Sequence, residues 1–249
     1  MQDWPEGTRR FVFDTIDSTM FEARRQAPAI AGAAWFLSHE QTAGTGRRGR
    51  AWDSQHGNFA ASLLIRPNTT PDQLALRSFV AALALYDTLV ALTGREDAFT
   101  LKWPNDVLLR GGKLAGILLE TLNEGAGNPA LIIGIGVNLA NMPADAKLEE
   151  GATAPQSLAQ NLGVKVTPEA FLDTLAPRFQ HWETQLRTYG FDPIRTAWMA
   201  QAANIGNVIT ARMAANSITG TFKTVDETGA LILQAADGQH VITAADISF

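Results

Sequence analysis

The sequence predicts an α+β chain in two parts, and three observations carry that expectation. The apolar stretch "TTPDQLALRSFVAALALYDTLVALTG" has Pro71 near its start and Gly94 at its end, the asymmetry of one long helix. From Phe99 to Ala140 the chain turns strand-rich: "FTLKWP", "DVLLR", a Gly111-Gly112 turn, "KLAGILLETL", a turn at "NEGAGNP", and "ALIIGIGVNLA". From Ile205 to Phe249 the runs are short, rich in Val, Ile and Thr, and separated by "DETGA" and "ADGQH". Five such strands make a small barrel or a partial one. A boundary near Asn204 therefore divides the chain into residues 1–204 and 205–249. With no repeat, low-complexity segment or Pro-rich linker between them, the two parts should pack together.

The remaining elements follow in order. "RFVFDTI" reads as a strand, and "DSTMFEARRQA" as a helix with Thr19 and Glu22 at capping-box spacing. "AAWFLSHEQ" returns as a strand. Next comes "EQTAGTGRRGRAWDSQHGNF", in which Gly44, Gly46 and Gly49 satisfy the dinucleotide-binding pattern G-x-G-x-x-G. That pattern requires a helix after the glycines, and none opens here. The chain runs through "RAWDSQHGN" into "FAASLLIRP", so the segment reads as loop, then strand. Between Pro155 and Gln201 lie two or three helices, with Pro177 marking a kink or junction.

Bulk properties narrow the function. At 249 residues and 46% hydrophobic, the chain can bury a full core. Its formal charge of −5 argues against nucleic acid as a partner, so any phosphate recognition must come from local arginines and lysines. The absence of cysteine excludes disulfides, thiolate metal sites and a Cys nucleophile. The start "MQDWPEGTRR" lacks signal-peptide regions, and no apolar run is read as reaching the ~18 residues of a membrane span. A cytoplasmic location is the expectation.

Four stretches look chemical. Asp17-Ser18-Thr19 puts hydroxyls at a helix start, which on its own is an ordinary cap. The glycine loop carries Arg47, Arg48 and Arg50; glycines let backbone N–H groups approach an anion, and guanidinium forks suit phosphate. "KWPNDVLLRGGKLAGILLE" holds Lys102, Asn105, Asp106 and Lys113, and Gly116 interrupts an apolar strand as if something approaches it closely. "GIGVN", Gly134 to Asn138, puts two glycines in an otherwise buried strand. Close packing of a neighbouring element would explain them equally well.

Taken together, "DST", "EQTAGTGRRGRAW", "KWPNDVLLRGGKLAGIL" and "IGIGVNL", in this order, resemble the biotin protein ligases, from about Phe11 to the end of the chain. The resemblance implies a mixed β-sheet with helices, akin to class II aminoacyl-tRNA synthetases, followed by an SH3-like β-barrel. It implies ATP and biotin as substrates with Mg2+, and a biotin carboxyl carrier protein of acetyl-CoA carboxylase or a related carboxylase as acceptor. By the same resemblance Ser18, Thr19, Met20 and Gln41 meet the biotin ring, and Gly44, Thr45, Gly46 and Arg47 wrap its tail and the adenylate. Lys113 meets the carboxylate and the α-phosphate, Gly116 and Gly134 leave room for biotin, and Arg47 and Lys113 are the catalytic candidates. Arg50, Trp52, Lys102, Asn105, Asp106 and Asn138 fall on the nucleotide side, with Asn105 and Asp106 toward the metal. Thr45 stands where the family usually has arginine, and Met20 where it often has Asn. Some relatives carry an N-terminal helix-turn-helix; only about ten residues precede the first strand here, too few for one. A homodimer is compatible with the family. Lipoate ligase, a related acyltransferase, and a non-catalytic biotin or adenylate sensor are the competing readings.

Overall fold

In the computed structural model, which describes residues 3–123, 129–143, 153–213 and 216–249, the chain forms two sheets. The first contains β1 (Arg9–Ile16), β2 (Ala34–Gln41), β3 (Phe59–Ile65), β4 (Phe99–Lys102), β5 (Asp106–Leu109), β6 (Gly112–Leu122) and β7 (Ala130–Val137). Their spatial order is β1-β2-β3-β7-β6-β5-β4. Only β1 and β2 run parallel; the other pairs are antiparallel, so the sheet is mixed. β3 and β7 sit at its centre, covered on both faces, which is why "FAASLLI" and "ALIIGIGV" read as near-continuous apolar runs.

On one face lie α3 (Arg77–Thr93), α5 (Pro168–Tyr189) and α6 (Phe191–Ala200), burying Phe79, Leu83, Phe171, Phe179 and Trp198 in the main core. On the other, α1 (Thr19–Gln26) packs a smaller cluster containing Met20, Ala23, Phe36 and Ile132. Two short helices, α2 (Pro71–Leu74) and α4 (Leu158–Leu162), complete the helical set. The second sheet is antiparallel, ordered β11-β10-β9-β8-β12 from β8 (Val208–Arg212), β9 (Ser217–Val225), β10 (Leu231–Ala235), β11 (Gly238–Ile242) and β12 (Asp246–Ser248). Its ladder stays open between β11 and β12, which fits the partial barrel. Its apolar side joins the main core through Phe222, Leu231 and Leu233, and Trp103 Nε1 donates to the Gly229 carbonyl at 3.0 Å.

Five local expectations need correction. The first helix starts at Thr19 with Ser18 as N-cap, and no side chain caps it, so there is no capping box. The Thr19 hydroxyl is instead drawn away to Gln41 and Ser62. The long helix breaks at Ala75-Leu76 into α2 and α3. The β5–β6 turn is Arg110-Gly111, with φ of 50° and 81°, rather than Gly111-Gly112; Gly112 already belongs to the ladder. Of the two readings of Pro177, the junction is excluded, since α5 runs through it. The stretch Asp72–Thr93 does reach membrane-span length and composition, with a mean hydropathy of 1.6 over an 18-residue window, but 78% of that window is buried as a core helix. Most of "NEGAGNP" lies outside the described residues.

Candidate active site

Two neighbouring cavities share Lys113, and they differ in chemistry. The first is bounded by the start of α1 (Ser18, Thr19, Met20), Gln41 at the end of β2, the loop residues Thr45, Gly46 and Trp52, and the glycine-bearing parts of β6 and β7. The short loop after β1 and the end of β2 meet because these strands are parallel and in register, Ile16 opposite Gln41. Thr19 donates from its backbone N and its hydroxyl to Gln41 Oε1 at 2.8 and 3.0 Å. Its hydroxyl also lies 2.8 Å from Ser62 Oγ, and Gln41 Nε2 donates to Ser54 Oγ at 2.8 Å. The network fixes the Gln41 amide and leaves the cavity wall neutral and polar. Beside it, Arg25 holds Asp17 with two bonds of 2.8 Å and keeps its carboxyl at a pKa of about 2.

The glycines are occupied by neighbours. A Cβ at Gly136 would sit 2.3–2.5 Å from the Trp52 indole, and one at Gly134 would sit 2.6 Å from the Met20 sulfur. At Gly116 the nearest atoms are a Trp52 ring carbon at 3.3 Å and the Lys113 side chain. Trp52 and Met20 therefore take the space over these glycines and line the first cavity, of about 60 Å³.

The second cavity, about 280 Å³, is a cationic cleft lined by Arg47, Arg48, Arg50, Lys102, Lys113 and Arg212, with Asp106 and Asp246 as its carboxylates. Lys102 is 7% exposed and donates to Thr153 Oγ1 at 2.6 Å; burial holds its ammonium below the usual lysine range. The Arg47 guanidinium donates to Asn105 Oδ1 at 3.2 Å and to the Ala245 carbonyl at 3.3 Å. Lys113 Nζ lies 2.8 Å from Asp106 Oδ1 as an ion pair, yet that buried oxygen accepts no well-formed hydrogen bond. Lys113 lines both cavities and is the link between them.

The structure thus gathers Ser18, Thr19, Met20, Gln41, Thr45, Gly46, Trp52, Lys113, Gly116 and Gly134 around the first cavity, and Arg47, Arg50, Lys102, Asn105, Asp106 and Lys113 around the second. Trp52, expected on the nucleotide side, projects into the first. Gly44 and Asn138 line neither. At Gly44 a Cβ would meet the Trp52 carbonyl at 2.6 Å, so this glycine shapes the loop from behind; Asn138 is buried, with its backbone tied to Leu114 and Leu158. Sequence reasoning missed Ser54 and Ser62, which orient the Thr19–Gln41 pair, and Arg212 and Asp246 from the second sheet. Ser62 left one signal, a hydroxyl inside an apolar run. Asp246 left none, because its role depends on where the second sheet docks. Among the described residues no three His, Asp or Glu side chains converge as a metal cage.

A neutral polar pocket thus joins a cationic cleft through one lysine. Residues 12–138 match the biotin/lipoate A/B protein ligase family, and residues 205–249 match the biotin protein ligase C-terminal domain. The chain is 51% identical over 233 residues, 94% of its own length and 97% of the relative's, to a biotin–[acetyl-CoA-carboxylase] ligase of Paracoccus denitrificans. It is 32% identical to the bifunctional ligase/repressor BirA of Bacillus subtilis, over 97% of this chain and 74% of that one. The Aquifex aeolicus biotin protein ligase in complex with biotin and ATP has the same fold, with a TM-score of 0.83 at 24% identity over 96% of this chain and 97% of that one. The chain belongs to the biotin/lipoate A/B protein ligase family.

Proposed function

We propose that the chain activates biotin with ATP to biotinyl-5′-adenylate and passes the biotinyl group to a lysine of a biotin carboxyl carrier protein. The observation that carries this reading is the position of Lys113 on the wall of both cavities. The ureido ring, a neutral group needing matched donors and acceptors, suits the pocket of Thr19 and Gln41. Its valeryl carboxylate then points toward Lys113, and the triphosphate lies along Arg47, Arg50 and Lys102. A carboxylate oxygen attacks the α-phosphorus and pyrophosphate leaves. Two anions must meet in this step, and the Lys113 ammonium, already placed, offsets the charge that concentrates between them. The carrier amine next attacks the mixed anhydride, AMP leaves, and no covalent enzyme intermediate forms.

The oxygen donors at Asn105 and Asp106 fit magnesium better than a softer metal, since a lone carboxylate plus substrate phosphates is that ion's usual setting. Asp106 Oδ1 is buried and ion-paired with Lys113 Nζ at 2.8 Å, so a cation held there would share this carboxylate with Lys113. Held there with the triphosphate, magnesium would neutralise phosphate charge. In this reading residues 1–204 do the activation and residues 205–249 close one wall of the cleft. Biotin-dependent exchange of pyrophosphate into ATP, with lipoate as the control acid, tests activation; labelling of an apo carrier protein in the cytoplasmic compartment tests transfer. Exchange with lipoate but not biotin would refute the substrate.

A further inference from the structure

The cationic cleft contains an acid that the reaction chemistry does not call for. Asp246, on β12 at the edge of the second sheet, reaches into the glycine loop of the first part of the chain. Its Oδ2 accepts from Arg48 at 2.6 Å and from Arg50 at 3.1 Å, and its Oδ1 lies 3.6 Å from Arg47. All three loop arginines are thus gathered on one carboxylate. The grip is aided by the loop backbone, where Arg48 adopts φ 57°, a left-handed conformation that a non-glycine residue enters only when its surroundings hold it there. Asp246 is itself fixed, because it pairs with Arg212 at the end of the β8–β12 ladder.

We propose that Asp246 is a positioning residue that stands in for phosphate, holding Arg47, Arg48 and Arg50 over the cleft until the ATP polyphosphate displaces it. This inference rests on the proposed nucleotide site. Its two oxygens take hydrogen-bonding directions that phosphate oxygens would otherwise fill, and its charge repels an incoming polyanion. The three pairs are half-exposed and individually weak. A triphosphate, with more anionic oxygens than one carboxylate, outcompetes them. Asp246 therefore keeps the loop ordered at a cost in nucleotide affinity.

Asp246→Asn separates these two effects. Without ATP, trypsin should cut this variant after Arg47, Arg48 or Arg50 faster than wild type, and ATP should restore protection. The KM for ATP should fall about two- to fivefold, the range that weak pairs of this kind allow. Asp246→Glu, which keeps the charge, should return both readouts to wild type and covers the case in which Asn disturbs the strand. An unchanged or raised KM for ATP in Asp246→Asn, or tryptic cutting equal to wild type, overturns the proposal. A wild-type protein that shows no biotin-dependent pyrophosphate exchange would instead defeat the functional reading, while the tryptic comparison without ATP would still report on Asp246.

Discussion

The pocket of Thr19 and Gln41 and the cleft of the loop arginines lie side by side, yet they are built in opposite ways. In the pocket, each polar group is oriented by another from a neighbouring element, and the apolar walls are already filled by Trp52 and Met20. Recognition there depends on displacing protein atoms that fit. In the cleft, six cationic side chains surround a larger space, and order comes from counter-charges, Asp106 on Lys113 and Asp246 on the arginines. Recognition there depends on exchanging one anion for another. Under the proposed function the difference gives shape selectivity to the pocket and charge selectivity to the cleft, with Lys113 lining both.

The hardest test of that division is Lys113→Met. Loss of one preorganised donor typically costs about 2.7 to 4 kcal/mol, or roughly 10² to 10³ in rate, and the loss should fall on pyrophosphate release rather than on biotin affinity. The variant also strands Asp106, so its melting temperature should drop as well; Lys113→Met combined with Asp106→Asn should recover the melting temperature but not the rate. Adenylation within about threefold of wild type would place Lys113 outside the roughly 10²-fold class and undo the link between the cavities.

Gly136→Ala attacks the pocket side. Its backbone tolerates alanine, but the new methyl would overlap the Trp52 indole. Overpacking of this kind costs about 1–3 kcal/mol, relieved when Trp52 leaves the cavity. The expected signs are a lower melting temperature and a red-shifted emission that the Trp52→Phe background lacks. Wild-type protein titrated with biotin should show a shift in the same direction, because Trp52 lines the pocket proposed for the ring. A Trp52 signal indifferent to biotin would contradict this.

A smaller effect is expected from Thr19→Val, which keeps the shape and removes the hydroxyl between Gln41 and Ser62. A buried partner left unsatisfied costs about 1–3 kcal/mol, divided between stability and biotin binding, while the KM for ATP stays level. Calorimetry with each ligand separates the two; a loss confined to ATP would reverse the assignment of the pocket.

The mildest test is alkaline pH, and it acts on the cleft alone. Burial lowers the Lys102 pKa, so its ammonium is lost before an ordinary lysine would lose it. As pH rises through that lowered value, ATP binding should weaken and should take up a proton. Folding runs the other way: between the folded and unfolded pKa values the unfolded chain holds more protons, so this group's contribution to stability rises with pH. Lys102→Arg should carry the binding limb to higher pH, because a guanidinium stays charged. Binding of ATP that is level across this range would remove Lys102 from the site.

Much of the architecture was legible because periodicity and turn chemistry act locally. The buried runs of β3 and β7, the helix ending at Gly94 and the five short C-terminal strands each follow from a few neighbouring residues. Where a long-range partner competed, local rules failed. Thr19 lost its place in a capping box to Gln41 and Ser62, which lie far away in sequence, and Arg110 took a positive φ because the strand pairing fixed the turn one residue early.

The same divide runs through the site. The residue types in "GTGRRGR" and "KWPND…GGK" by themselves supplied the capacity to bind anions and put a lysine beside a glycine-bearing strand, since guanidinium, ammonium and glycine have these capacities in any fold. Only the tertiary structure decided that Trp52 lies over Gly136, that Lys113 faces two cavities, and that Asp246 closes on the arginines. The reason is physical: each of these depends on the distance between segments brought together by strand pairing or by docking of the second sheet, and distance across a fold is set by the packing of the whole core.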